Sequence, residues 1–343
     1  MRTPRRRFRA PRGLPDYPVV PDLDRPAIPD VLRTRPPAPP APVGVGSITR
    51  ALYDRLTPED VAEIESRLTG DQRATWAAAD EATRRHVALL YAAWYEVEGA
   101  LEHTGLTAAM PPEDVHAMAR GPQAAGGDPY LADVVVDAAA RAGLTLAPGA
   151  TVLDFGCSSG RVLRAIAAAR PDLECLGCDP NERAIAWASE HLPFGRFFAS
   201  PFDPPLELAD GSVDLAYAIS IWSHFGARAA IAWLGEMRRI VRPGGALVLT
   251  VHGLQTLGAG LEHGWVPRPE ASDVVRSLLA TGHHFIDVFG EEGDWGVKDP
   301  QWGNAYLSME WLARNATPDW AIALLEVGGL TGNQDVVVLE RRP

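Results

Sequence analysis

Short apolar runs alternating with helix-like stretches dominate the second half of the chain, and few folds accommodate that alternation. The runs fall at 151–155, 174–178, 196–199, 213–219 and 246–251, with helical patterns near 160–170, 182–190 and 226–241. Strands covered on both faces read as continuous apolar runs, and intervening helices return the chain across the sheet. The pattern predicts a doubly wound parallel α/β sheet. The ending differs: 320–326 and 335–340 flank the turn-rich Gly328-Gly329-Leu330-Thr331-Gly332-Asn333 and read as an antiparallel pair.

The 343 residues leave room for additions around that sheet. Residues 1–45 hold nine Arg against four Asp and twelve of the 30 prolines, a net +5 that leaves −17 to the remainder of a chain carrying −12. So little bulky apolar surface cannot offset the entropy of ordering, so a disordered Pro/Arg-rich tail is expected there. It is either a solvated tail or an arm that grips an acidic partner or a phosphate backbone. Residues 46–124 read as a helical extension. Thr57-Pro58-Glu59-Asp60 supplies an N-cap, a first-turn proline and first-turn acids, with Gly70 as the stop. Val87, Leu90, Tyr91, Trp94, Val97 and Leu101 share one face of a longer helix, and Pro111-Pro112-Glu113-Asp114 starts another. Such a head packs against a catalytic domain, covers its site or makes an oligomer contact, a homodimer among the alternatives.

Several classes are excluded. No run of 18 apolar residues exists, so no membrane-spanning helix is expected. The basic stretch at 1–12 is followed by no signal-type apolar segment. Three cysteines are too few for a disulfide scaffold and suit a reducing cytoplasm. Cys175 and Cys178 have the spacing of half a zinc site, but nothing completes it and both lie in an apolar run, so a buried strand and no metal are expected.

The chemistry concentrates in Val152-Leu153-Asp154-Phe155-Gly156-Cys157-Ser158-Ser159-Gly160-Arg161-Val162, a strand, a glycine turn and a helix start. Glycines let the turn be sharp and bare, and the helix start offers free N–H groups to a ligand. Asp179 follows nineteen residues after Gly160, at the end of the second run, where a carboxylate can accept both hydroxyls of a ribose. Ser158 stands at the middle glycine position of a dinucleotide fingerprint, and Asp154 precedes the turn. An acid there repels a pyrophosphate and suits an ammonium-bearing ligand.

On these residues the chain resembles the class I S-adenosylmethionine-dependent methyltransferases over roughly 125–341. Leu153 to Gly160 looks like the family's first motif and Asp179 like its ribose acid. Asp210-Gly211-Ser212-Val213-Asp214-Leu215 resembles the entry to the fourth strand, and Met237-Arg238-Arg239-Ile240-Val241-Arg242-Pro243-Gly244-Gly245-Ala246-Leu247 the helix, turn and fifth strand. The resemblance implies a seven-stranded sheet of order 3-2-1-4-5-7-6 with an antiparallel last strand, within a domain at 125–343. It implies S-adenosylmethionine held by Asp154, Gly156, Cys157, Gly160, Asp179, Pro180, Ser200 and Ser220. The chain departs from the family in the Gly156-Cys157-Ser158-Ser159-Gly160 turn, and in having Ala199-Ser200-Pro201-Phe202 where many members carry an acid for the adenine amine. Ser200 and Asp203 are alternatives for that contact.

Methyl transfer from a sulfonium is an in-line displacement that needs a nearby nucleophile and a proton acceptor. The loop Ser220-Ile221-Trp222-Ser223-His224-Phe225 after the fourth strand makes His224 the first general-base candidate, and His252 at the end of the fifth is the second. A cap insertion at about 254–306, rich in aromatic and acidic groups (His283-His284-Phe285, Glu291-Glu292, Asp294-Trp295 and Trp302), separates the fifth strand from a helix expected over Tyr306 to Arg314. Tyr130, Trp222, His283, His284 and Trp302 are the substrate-side candidates, Tyr130 on resemblance alone. Aromatic faces beside acids suit sugars and polyols, so the expected activity is O-methylation of a saccharide, polyol or other small natural-product hydroxyl. A nucleic-acid methyltransferase is the first rival, opposed by the −17 body and by Ile219-Ser220-Ile221-Trp222 where amine-methylating enzymes carry a proline-aromatic motif. A nonenzymatic cofactor-binding protein of the same fold is the second.

Overall fold

The computed structural model describes residues 46–112, 115, 125–294 and 297–343. The tail at 1–45, Glu113 and Asp114 of the expected helix start, and Trp295 lie outside the described residues.

The head contains α1 (Ser47–Tyr53), α2 (Pro58–Arg67), α3 (Gly70–Ala78), α4 (Glu81–Trp94) and α5 (Glu98–Thr104), followed by α6 (Pro129–Arg141). Thr57 caps α2 as its residue type predicts: its hydroxyl accepts the Asp60 N–H at 3.1 Å, and Asp60 Oδ2 accepts the Thr57 N–H at 2.8 Å. Two expectations are corrected here. Gly70 does not stop a helix; α2 already ends at Arg67, and Gly70 opens α3 behind Thr69, whose N–H donates to the Gln72 side chain. The long helix bearing Val87 to Leu101 is two helices, because Glu96 takes a left-handed φ of 50° after Trp94 and turns the chain. An apolar stripe passes through such a break without losing its period.

The sheet elements follow as β1 (Thr151–Phe155), α7 (Arg161–Ala169), β2 (Glu174–Asp179), α8 (Glu182–His191), β3 (Gly195–Ala199), β4 (Val213–Ala218), α9 (Ala227–Ile240) and β5 (Val241–Val251). Next come α10 (Leu254–His263), α11 (Arg268–Ala280), β6 (His283–Ile286), β7 (Asn304–Leu307), α12 (Met309–Ala316), β8 (Trp320–Leu330) and β9 (Gln334–Arg341). One seven-stranded sheet has the order β3-β2-β1-β4-β5-β9-β8, and β6 and β7 form a separate two-stranded ribbon. Strands β3, β2, β1, β4 and β5 are parallel, and β9 runs antiparallel to both neighbours. This is the expected class I methyltransferase arrangement, its last two strands renumbered by the ribbon. The segment expected to begin a helix at Tyr306 is instead β7. Tyr306 pairs with His284, and the helix starts at Met309, behind Ser308, whose hydroxyl accepts the Trp311 N–H.

Alternate residues of the central strands feed two cores. Val152, Leu215, Tyr217, Val248 and Val338 pack on one face with Leu163 and Ile166 of α7. Leu153, Ala216, Leu247, Leu249 and Leu339 pack on the other with Trp233 and Met237 of α9. Burying both faces fixes the register, because a slip of one residue would exchange the two sets. The carboxyl ends of β1, β2 and β4 are thereby held level, and α10, α11 and the ribbon form the insertion after β5.

Candidate active site

A cavity of 320 Å³ opens at those carboxyl ends. Its floor is the β1–α7 turn from Asp154 to Ser159, with Asp179, Pro180 and Asn181 after β2 and Ser200 after β3. Ser220, Ile221, His224 and Phe225 after β4 form one wall, and Phe289, Asp294, Asp299, Gln301 and Trp302 of the insertion form another.

The turn is built on positive φ at Gly156 (84°), Ser158 (47°) and Gly160 (72°). A Cβ on Gly156 would collide with the Ile221 side chain, so glycine lets the β1 and β4 loops close on each other. Ser158 holds the same half of conformational space without being glycine, and its N–H donates to Asp179 Oδ2 at 2.8 Å. Asp179 Oδ1 accepts the Asn181 N–H at 2.8 Å. One backbone donor per oxygen locks the carboxylate and leaves each oxygen a further acceptor site. Burial raises the Asp179 pKa, and these two donors oppose the shift. Asp154 is 3% exposed. Burial and the neighbouring Asp179 charge push its pKa up to about 7, against the pull of the Tyr217 hydroxyl and Arg161. Two buried carboxylates thus face a cavity with one guanidinium in its lining, Arg161, which stands 3.3 Å from Asp128.

His224 is fixed as a neutral imidazole. Its Nδ1 lies 2.6 Å from the Gly303 carbonyl, so Nδ1 carries the proton and Nε2 is left as an acceptor. Burial lowers its pKa, while the Gly303 carbonyl and Asp294 pull the other way. The ring packs 4.8 Å from Trp302, whose Nε1 donates to Asp294 Oδ2 at 3.0 Å.

Of the residues singled out from sequence, Asp154, Gly156, Cys157, Asp179, Pro180, Ser200, Ser220, His224 and Trp302 meet in this one cavity. Cys157 is buried, and burial raises its thiol pKa far above the ordinary value. Gly160 lies just behind, as the N-cap of α7. The remaining candidates are elsewhere among the described residues. His252, behind His224 at 6.1 Å between ring centres, contacts Gln334. Trp222 is fully buried between Phe155 and Phe225. Tyr130 accepts the Thr331 N–H through its hydroxyl at 3.1 Å. His283 contacts the Phe225 carbonyl at 3.2 Å, and His284 the Ser277 hydroxyl at 2.9 Å. The strand alternation within β6 directs both histidines into local packing. Sequence reasoning missed Phe289, Asp299 and Gln301 as lining residues; the density of aromatic and acidic groups in the insertion was the available signal. Among the described residues no three His, Cys, Asp or Glu side chains gather as a metal site.

Residues 153–247 match the family model described as a methyltransferase domain. A 37.1 kDa protein of transposon Tn4556 from Streptomyces fradiae is 34% identical over 106 residues, 30% of each chain. A 2-methyl-6-phytyl-1,4-hydroquinone methyltransferase from Synechocystis is 34% identical over 107 residues, 31% of this chain and 33% of the relative. The matched stretch therefore spans about a third of these relatives. Among solved structures, a methyltransferase from Methanosarcina mazei aligns with 57% of this chain and 94% of its own at 18% identity and a TM-score of 0.41. One from Mesorhizobium loti aligns with 59% and 96% at 15% identity and a TM-score of 0.39.

Proposed function

We propose that this chain, which carries a methyltransferase domain of the class I S-adenosylmethionine-dependent family, methylates a hydroxyl of a saccharide, polyol or other small natural product, with His224 as general base. S-adenosylmethionine is the cofactor, and the residues present fit it. Asp179 offers free acceptor positions to ribose hydroxyls, Asp154 and Asp179 give a cationic ligand a favourable field, and the bare Gly156 turn admits it against backbone. Bound there, the cofactor supplies an activated methyl group.

One observation carries the base assignment: His224 commits Nδ1–H to Gly303 and keeps Nε2 free in the same cavity as the two carboxylates. Nε2 takes the acceptor's hydroxyl proton as the oxygen attacks, and the Gly303 carbonyl and Asp294 stabilise the imidazolium that results. Trp302 and Phe289 offer apolar faces to a sugar or other ring, while Gln301, Asp294 and Asp299 offer hydrogen bonds to its hydroxyls. Four carboxylates against one guanidinium in the lining disfavour a phosphorylated or nucleic-acid acceptor. A homodimer and a cytoplasmic location belong to this reading. Among the described residues no helix is long and apolar enough to cross a membrane.

The test is incubation of the protein with methyl-labelled S-adenosylmethionine and fractionated cell extract, followed by mass spectrometry. Label on a neutral hydroxylated small molecule, with a mass gain of one CH₂ unit on oxygen, is the expected result. Label confined to nucleic acid, or to a nitrogen or carbon atom, overturns the acceptor assignment.

A further inference from the structure

Gln334, the first residue of β9, does not line the cavity but bonds to three residues that shape or back it. It is 8% exposed. Thr250 Oγ1 of β5 donates to Gln334 Oε1 at 2.6 Å and accepts the Ser220 N–H at 2.7 Å. Gln334 Nε2 stands 3.0 Å from Ser220 Oγ and 3.3 Å from His252 Nε2. A carboxamide nitrogen has two hydrogens and no lone pair to offer, so one goes to each neighbour.

Both recipients matter to the wall beside His224. Ser220 holds a left-handed φ of 58°, a region where a residue with a Cβ needs outside support. It lines the cavity and starts the turn in which the His224 N–H donates to the Ile221 carbonyl at 2.9 Å. His252 sits behind that turn, and an imidazole that accepts at Nε2 carries its proton on Nδ1. Nδ1 of His252 is buried, and the Asn304 side chain and the Ala305 backbone both favour a proton on the ring.

We infer that Gln334 is a positioning residue of this site: its two amide hydrogens hold Ser220 in the left-handed conformation of the cavity wall and hold His252 as the neutral Nδ1–H tautomer. The binding part of this inference rests on the cavity being the S-adenosylmethionine site; the tautomer part does not.

The test combines imidazole nitrogen NMR with calorimetric titration of S-adenosylmethionine. In the unaltered protein at neutral pH, His252 carries its proton on Nδ1. Gln334→Glu keeps the acceptor for Thr250 and removes both donors, so His252 moves its proton to Nε2 to meet the carboxylate. Gln334→Leu removes the hub and weakens cofactor binding about fivefold or more, as for a lost buried hydrogen bond. An Nε2–H tautomer in the unaltered protein, or cofactor binding unchanged in Gln334→Leu, overturns the inference. If Gln334→Leu does not fold, the Glu variant decides it. If the unaltered protein binds no cofactor, the functional reading fails and the tautomer comparison still decides the role of Gln334.

Discussion

At the scale of single residues, two protonation states set the behaviour of the site. His224 is neutral because burial lowers its pKa, and its Nε2 is free because Nδ1 is committed to Gly303. His224→Gln keeps a side chain of similar reach without a base. It is expected to lower turnover roughly 10²- to 10⁴-fold while calorimetry finds cofactor binding little changed. Turnover in the unaltered enzyme is expected to rise through a pKa below the ordinary histidine value and stay level above it. Asp154 works in the opposite sense. Its carboxyl is raised to about 7, so below that pH the ligand meets a neutral acid and above it a carboxylate. A cationic cofactor favours the ionised form, so its affinity should fall by at most about tenfold per pH unit as the pH drops below 7, with a proton released on binding. Titrations in buffers of different ionisation enthalpy read that proton, and Asp154→Asn should abolish it. These residues were legible in sequence because a turn motif and a strand-end acid are local features. Gln334 and Gln301 were not. Gln334 meets its partners across separations such as the 114 residues to Ser220, and no local pattern announces that.

At the scale of elements, legibility followed burial. The central strands are covered on both faces, and each produced an apolar run that a reader of the sequence could find. The ribbon strands β6 and β7 have four residues each, and every residue of β6 is only half-buried, so no alternation marks them. Their existence depends on pairing with each other, including His284 with Tyr306, and that pairing is not a local property of either segment. Capping was the more reliable local signal. In α2, Thr57 and Asp60 satisfy each other's backbone donors, and His103 Nδ1 lies 2.7 Å from the same Asp60 oxygen. Thr57→Ala should therefore cost about 1 kcal/mol in denaturant unfolding. Cofactor affinity should not move, since α2 contributes nothing to the cavity lining.

At the scale of the molecule, the charge division acquires a direction. Residues 1–45 carry a net +5, whereas the cavity belongs to the −17 remainder and its lining holds four carboxylates against one guanidinium. An acidic body favours a cationic ligand and repels phosphate-rich partners. A chain beginning at Gly46 should bind S-adenosylmethionine as tightly as the full chain, read by calorimetry. A marked loss would make the Arg-rich segment part of the site. The central claim is that the Asp154–Asp179 cavity is the S-adenosylmethionine site, and titration with S-adenosylmethionine, S-adenosylhomocysteine and NAD, repeated on Asp179→Ala, measures that most directly. The account predicts one-to-one binding of the two adenosyl ligands, a severe loss in the Asp179 variant and no binding of NAD; tight binding of NAD alone would contradict it.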